Sequence, residues 1–196
     1  MIVIFTNCYS QSTNYYAKGK DDFLTGNYGL CVKNLLKSKS NTSEKDVDYF
    51  IAMSYFNLKK FDSAILYFDK DLKINKNNFN SYIKKAESEK NLHQYKAAVK
   101  DLDQLLKLNT NYFLAYYEKG EINFEQKYYT LAMDFYNKAL IIKPNLENAF
   151  YKLGFCYLYL KDTVNACENW KKIEDLDDFE QYQKIEIICN KFNKTK

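Results

Sequence analysis

The sequence predicts an all-α fold, a solenoid of antiparallel helix pairs, and three observations carry that expectation. Small residues recur at Cys31, Ala64, Ala98, Ala132 and Ala166, separated by 33, 34, 34 and 34 residues. A second small column (Gly19, Ala52, Ala86, Gly120, Gly154) and a large one (Leu35, Phe68, Leu102, Tyr136, Trp170) keep the same spacings. A fixed period of this length marks an array of stacked structural repeats. Within each repeat the apolar residues follow a helical period, as in the stripe Phe61, Ala64, Ile65, Phe68 and Leu72. One Pro and five Gly are too few for a chain of many tight β-turns.

Taken in order, the elements begin with a stretch that stands apart. Met1-Ile2-Val3-Ile4-Phe5 is apolar, but it lacks the basic region and the length of a secretory signal. If residues 1–11 are the remnant of a signal peptide, the protein is exported to the periplasm or envelope; if the start is genuine, it is cytoplasmic. Asn7 precedes Cys8 where a lipoprotein signal has a small residue, so membrane attachment is expected only if Cys8 is lipidated.

Residues 12–180 then hold five repeats, 12–45, 45–78, 79–112, 113–146 and 147–180. Polar turns at Lys59-Lys60, Gln94 and Lys161-Asp162 divide the repeats into helices of about 13 residues. Asn75–Asn78, Asn109–Asn111 and Pro144-Asn145 separate the repeats, and Asn suits such joints because it caps helices and tolerates left-handed backbone. Helices cross closely only where side chains are small, so Leu at Ala98 or Ala132 should overpack the crossing by about 1–3 kcal/mol. Residues 178–193 predict a capping helix with Phe179, Tyr182, Ile185, Ile188, Cys189 and Phe192 on one stripe, opened by Asp177 and Glu180.

Composition narrows the function. Leu, Ile, Val and Phe make up 52 of 196 residues, enough for a core, and no apolar run reaches the ~18 residues of a membrane-spanning helix. The net charge is +4, and all 29 basic residues are Lys; without Arg, the bidentate reader of phosphate and guanine, no nucleic-acid partner is expected. The single histidine, His93, falls at a turn, away from any orienting acid. No Gly-rich phosphate loop or Gly-x-Ser-x-Gly elbow is present. The five cysteines lack Cys-x-x-Cys spacing, and the acids from Glu174 to Glu180 lack the glycine of a calcium loop. The expectation is therefore no enzyme, no metal, no cofactor and no small-molecule substrate.

Asp101 and Asp103 point to different helix faces and read as solvated. Lys18, Lys85 and Lys119 occupy equivalent places, each with Asp22, Glu89 or Asn123 four residues on, and Lys85 is expected within reach of Asp71. Cys156 and Cys167 lie symmetrically about the turn of the fifth repeat, which predicts proximity, and a bond if the protein is exported.

The pattern resembles the tetratricopeptide repeat. Phe150, Leu153, Gly154, Tyr157, Ala166 and Trp170 reproduce its signature in the fifth repeat, and Tyr116, Gly120, Ala132, Tyr136, Ala139 and Pro144 in the fourth. The second and third repeats carry Lys76 and Thr110 in place of the proline, and the first is the most divergent, as suits an end. The resemblance implies a right-handed superhelix of about eleven helices and a scaffold binding a peptide or partner protein in a concave groove lined by the first helix of each repeat.

The groove-facing places would be Tyr16, Tyr49, Ile83, Tyr117 and Tyr151, with Phe50, Phe56, Phe124, Phe155 and Tyr159 beside them and Lys84, Glu118, Glu121 and Lys152 among them. Tyrosine suits recognition because a rigid ring buries area at small entropy cost. The Lys/Asn clamp by which some members grip a terminal carboxylate is not reproduced: Tyr16, Lys20, Tyr49, Phe50 and Lys84 stand in its places. The alternatives are a structural or assembly factor in a bacterial envelope complex, favoured by export, and an RNA-binding helical repeat, disfavoured by the missing Arg.

Overall fold

The computed structural model describes residues 14–39, 44–173, 183 and 185–190, and all regular structure among them is helical. Helix α1 runs over 14–24, followed by α2 (Tyr28–Ser38), α3 (Val47–Asn57), α4 (Phe61–Ile74), α5 (Phe79–Asn91) and α6 (Tyr95–Leu108). Then come α7 (Phe113–Glu125), α8 (Tyr129–Ile142), α9 (Glu147–Tyr159) and α10 (Thr163–Trp170), and a last helical stretch at 185–190. They form two compact parts, an N-terminal half (1–108) with α1–α6 and a C-terminal half (109–196) with the rest. Within each half, consecutive helices pack on one another. No described helix is long and apolar enough to cross a membrane. The stretch 1–11, Cys8, and the acids from Glu174 to Glu180 with Asp177 lie outside the described residues.

The three columns meet at the helix crossings, and the large column sits directly on the second small one. A Cβ on Gly19 would lie 2.6 Å from the Leu35 side chain, one on Gly120 would lie 2.5 Å from the Tyr136 ring, and one on Gly154 would overlap the Trp170 indole. Cys31, Ala64, Ala98, Ala132 and Ala166 are fully buried, as are Leu35, Phe68, Leu102 and Tyr136. Close packing of this kind leaves no slack for a methyl group, because interiors are as dense as organic crystals.

Each helix pair closes in the same way. Gly26, Lys59, His93, Lys127 and Lys161, at spacings of 33 or 34, all have positive φ. The next residue donates its N–H five residues back: Lys60 to the Tyr55 carbonyl and Tyr128 to that of Asn123, both at 2.9 Å. This is the Schellman ending, in which one left-handed residue satisfies the last carbonyls of the helix.

Between α4 and α5 the joint is organised by the fully buried Asp71, which accepts from Asn75 Nδ2 at 2.7 Å, Asn78 Nδ2 at 2.8 Å and Ser81 Oγ at 2.5 Å. Lys85 does not reach it. Its ammonium instead contacts Asp69 and Asp101, both at 2.7 Å, and Glu89 at 3.8 Å. The reason is angular: residues two apart lie about 200° apart around a helix, so Asp69 faces α5 where Asp71 turns toward the joint. Asp101 is accordingly a largely buried ion-pair partner rather than a solvated acid.

The expected Cys156–Cys167 proximity gives way to a different pairing. Cys167 is disulfide-bonded to Cys189, with Cα atoms 5.8 Å apart, and Cys156 is a free, buried thiol that burial pushes up to about 12. Equal distance from a turn places two residues at the same height, but the rotation of each helix decides what they face. Cys156 packs with Ala132 and Tyr136, whereas Cys167 packs with Trp170, Ile185 and Cys189. The last stretch thus covers the end of α10 with Ile185, Ile188 and Cys189.

Candidate binding surface

The aromatic residues expected to line a groove sit on α1, α3, α7 and α9, the first helices of their pairs. Tyr16, Tyr49, Phe50, Phe56, Tyr117, Phe124, Tyr151 and Phe155 are half-buried, and Tyr159 is exposed, whereas Ile83 on α5 is buried. An apolar ring left half in water carries binding area that the fold has not used.

In the N-terminal half, the Tyr16 hydroxyl donates to Asp46 Oδ1 at 2.7 Å, and Lys20 reaches both Tyr16 and Asp46 at 3.2 Å. Burial and the Asp46 carboxylate raise the Tyr16 phenol above its ordinary value. The Lys20 ammonium also lies 4.9 Å from the Phe50 ring, which packs edge-on against Phe23 and Tyr49. Lys84 pairs with Glu87 at 2.8 Å while standing 5.0 Å from the Phe56 ring. These lysines extend along aromatic faces and hold the rings in place.

In the C-terminal half, Glu121 ties three helices together: it accepts from the Tyr136 hydroxyl on α8 and pairs with Lys152 on α9 at 2.6 Å. Burial, then the Glu121 charge, raises the Tyr136 phenol far above its usual range, so it stays a hydrogen-bond donor. Lys152 lies 5.0 Å from the Phe124 ring. Glu121 and Lys152 therefore answer each other within the fold, rather than standing ready for the charges of a ligand.

Tyr151 and Phe155 pack edge-on at 4.9 Å, and Phe155 meets Trp170, whose indole N–H donates to the Tyr151 carbonyl at 3.1 Å. Tyr129 was not among the expected surface residues, yet it stacks on Tyr159 at 4.8 Å and meets Phe124 at 5.6 Å. The signal for it was the aromatic column Phe61, Tyr95, Tyr129 at a spacing of 34. His93 is exposed, with Nδ1 2.8 Å from the Tyr95 hydroxyl, and no described group of three or more His, Cys, Asp or Glu side chains is arranged to hold a metal.

Three family models, each described as a tetratricopeptide repeat, match residues 49–78, 83–147 and 148–176. The chain belongs to the tetratricopeptide repeat family. It is thus a protein-interaction scaffold in general terms. Among solved structures, a MamA chain from Desulfovibrio magneticus RS-1 is similar with a TM-score of 0.74 at 21% identity, over 85% of this chain and 95% of that one. A further MamA structure matches with a TM-score of 0.71 at 21% identity, over 83% and 90%. Likeness at this identity is a likeness of fold. A search of curated protein sequences found no match. In this tetratricopeptide repeat protein the family's small and large columns fall at the crossings described above, and the rings of α1, α3, α7 and α9 pack against the residues of those crossings while remaining partly exposed.

Proposed function

We propose that the protein binds an extended segment of a partner protein against the aromatic side of its first helices. Tyr16, Tyr49, Phe50, Phe56 and Lys84 would supply the contacts in the N-terminal half, and Tyr117, Phe124, Tyr151, Phe155 and Tyr159 those in the C-terminal half. The observation that carries this reading is the half-burial of the rings together with their fixed orientation by edge contacts and lysine ammonium groups. Rings held in this way lose little entropy on binding, and their exposed faces favour apolar or aromatic partner side chains. With Glu121 and Lys152 paired to each other, recognition on this face rests on shape and apolar area more than on charge.

The test uses a photo-crosslinking amino acid placed at Tyr151, followed by identification of the attached partner and titration of its segment. Tyr49→Ala combined with Tyr117→Ala should weaken that segment about tenfold or more, since buried aromatic anchors commonly contribute over 1 kcal/mol each. Unchanged affinity in the double variant would remove the aromatic side as the binding surface.

A further inference from the structure

The C-terminal half carries a second feature, at the turn ends of its helix pairs. Its two turns, α7–α8 and α9–α10, contribute to an open cavity of about 500 Å³ lined by Lys127, Tyr128, Tyr129, Thr130, Leu131 and Leu160. Large apolar side chains stand exposed around it: Tyr128 by 59%, Leu131 by 45% and Leu160 by 47%. Tyr129, which also lines the cavity, stacks on Tyr159 and meets Phe124 edge-on, so its ring is held in place.

The repeat itself does not require these residues. Where Tyr128 stands, the two preceding repeats have Lys60 and Gln94; where Leu131 stands, they have Ser63 and Ala97. Tyr159, 54% exposed, replaces Asn57 and Asn91 at its register. Three places that are polar or small in the second and third repeats are thus large and apolar here, although the first repeat also carries exposed leucines, Leu24 and Leu30, at two of them; exposing such area without a partner is unfavourable in water.

Among the described residues, the one charged residue that lines the cavity is a lysine. Lys127 lines it, and Lys161 follows Leu160 at the second turn; both have positive φ, and neither has an ion pair among the described residues. No carboxylate lines the cavity. The neighbouring Asp162 is turned to Asn165, accepting from its backbone N–H at 3.1 Å and from its side-chain amide at 2.6 Å.

We propose that this cavity docks an acidic segment of a partner protein that carries a large apolar side chain. The apolar side chain enters between Tyr128, Leu131 and Leu160, and carboxylates flanking it meet Lys127 and Lys161. Apolar contact supplies the area, and the lysines select the sign of the segment and speed its approach. The cavity adjoins the first-helix face through Phe124 and Tyr159 but is lined by other residues, so variants of Tyr128 and Leu131 test it separately from variants of Tyr49 and Tyr117.

The test pans a display library of random dodecapeptides against the full chain and titrates the enriched peptides as synthetic, fluorescently labelled molecules. Enriched peptides should combine Trp, Phe or Leu with two or more Asp or Glu, and should bind less tightly as salt is added. Their affinity should fall about tenfold or more in Lys127→Glu with Lys161→Glu, and likewise in Tyr128→Ser with Leu131→Ser, while Tyr49→Ala with Tyr117→Ala leaves it unchanged. All four substituted turn residues are exposed, so circular dichroism should show an intact fold. The proposal is overturned if no peptides are enriched, if the enriched peptides are basic or uncharged, or if binding survives both turn variants. A concentration-dependent dimer in sedimentation that Leu131→Ser abolishes would also overturn it, by giving the cavity to a second copy of the chain.

Discussion

The two halves solve the same crossing problem with different volumes. In the N-terminal half, Leu35, Phe68 and Leu102 are wholly apolar residues set against Gly19, Ala52 and Ala86. In the C-terminal half the large residues are Tyr136 and Trp170, and both face glycine. The bigger rings fit because the opposing Cβ is missing, and their polar tips are satisfied at once, Tyr136 by Glu121 and Trp170 by the Tyr151 carbonyl. A buried donor without a partner would cost about 1–3 kcal/mol, so each of these polar-tipped rings has to bring its acceptor with it. The halves also differ in how an end is covered: in the C-terminal half, Cys167–Cys189 fastens the last helical stretch over Trp170.

This contrast can be broken most severely at Trp170. Trp170→Ala should destabilise the protein by about 3–5 kcal/mol, read as a shift of the denaturant midpoint, because it empties the crossing and frees the Tyr151 carbonyl. Gly154→Ala should cost about 1–3 kcal/mol, since its Cβ would overlap the indole, and that cost should largely vanish in a Trp170→Leu background. Ala86→Gly gives the opposite control: with no ring to relieve, it should lose about 0.5–1 kcal/mol of helix propensity. An equal penalty for Gly154→Ala in both backgrounds would show that glycine and ring are not matched.

A second contrast concerns charge. Glu121 in the C-terminal half is answered by a donor and a cation, whereas Glu89 in the N-terminal half is buried with Oε2 unpartnered, beside Asp101 and Lys85. Burial, then the Asp101 charge, pushes the Glu89 carboxyl up to about 8 from its ordinary 4.5. The folded chain therefore holds a proton that the unfolded chain releases, and this group makes stability fall as pH rises between about 4.5 and 8. Glu89→Gln removes that contribution, so its midpoint should exceed wild type by about 1–3 kcal/mol at pH 8.5 and approach it near pH 4.5. A difference independent of pH would contradict the assignment.

The smallest expected effect lies at the turns. The first pair has glycine at its left-handed residue, Gly26, and the later ones have Lys or His. Lys127→Gly should raise stability by up to about 1 kcal/mol, because only glycine takes positive φ without strain, partly offset by the greater freedom of the unfolded chain. A thermal melt that moves downward would show that the lysine stem contributes packing there.

Much of the fold was legible because periodicity is a local property. A column repeated every 34 residues fixes which residues are small, which are large and where helices turn, and the crossings at Gly19, Gly120 and Gly154 follow from it. Pairings that depend on how a helix is rotated were not legible. Lys85 was expected beside Asp71 and meets Asp69; Cys167 was expected near Cys156 and is bonded to Cys189. A register names the height of a residue along its helix, while a shift of two positions turns its side chain by more than half a circle. The candidate surface was legible as residue types, but its charges were not: the Glu121–Lys152 pair spans 31 residues.

The sequence by itself determined the repeat and the helix pairs, because both follow from spacing along one chain. The tertiary structure decided which polar groups are spent within the fold and which remain for partners. Asp71 is consumed by a joint, Glu121 by a tyrosine and a lysine, and Cys167 by the terminal stretch, while Lys127 lines an open apolar cavity. The physical reason is that a buried polar group must find its partner wherever the packing places one, at whatever separation in sequence that demands.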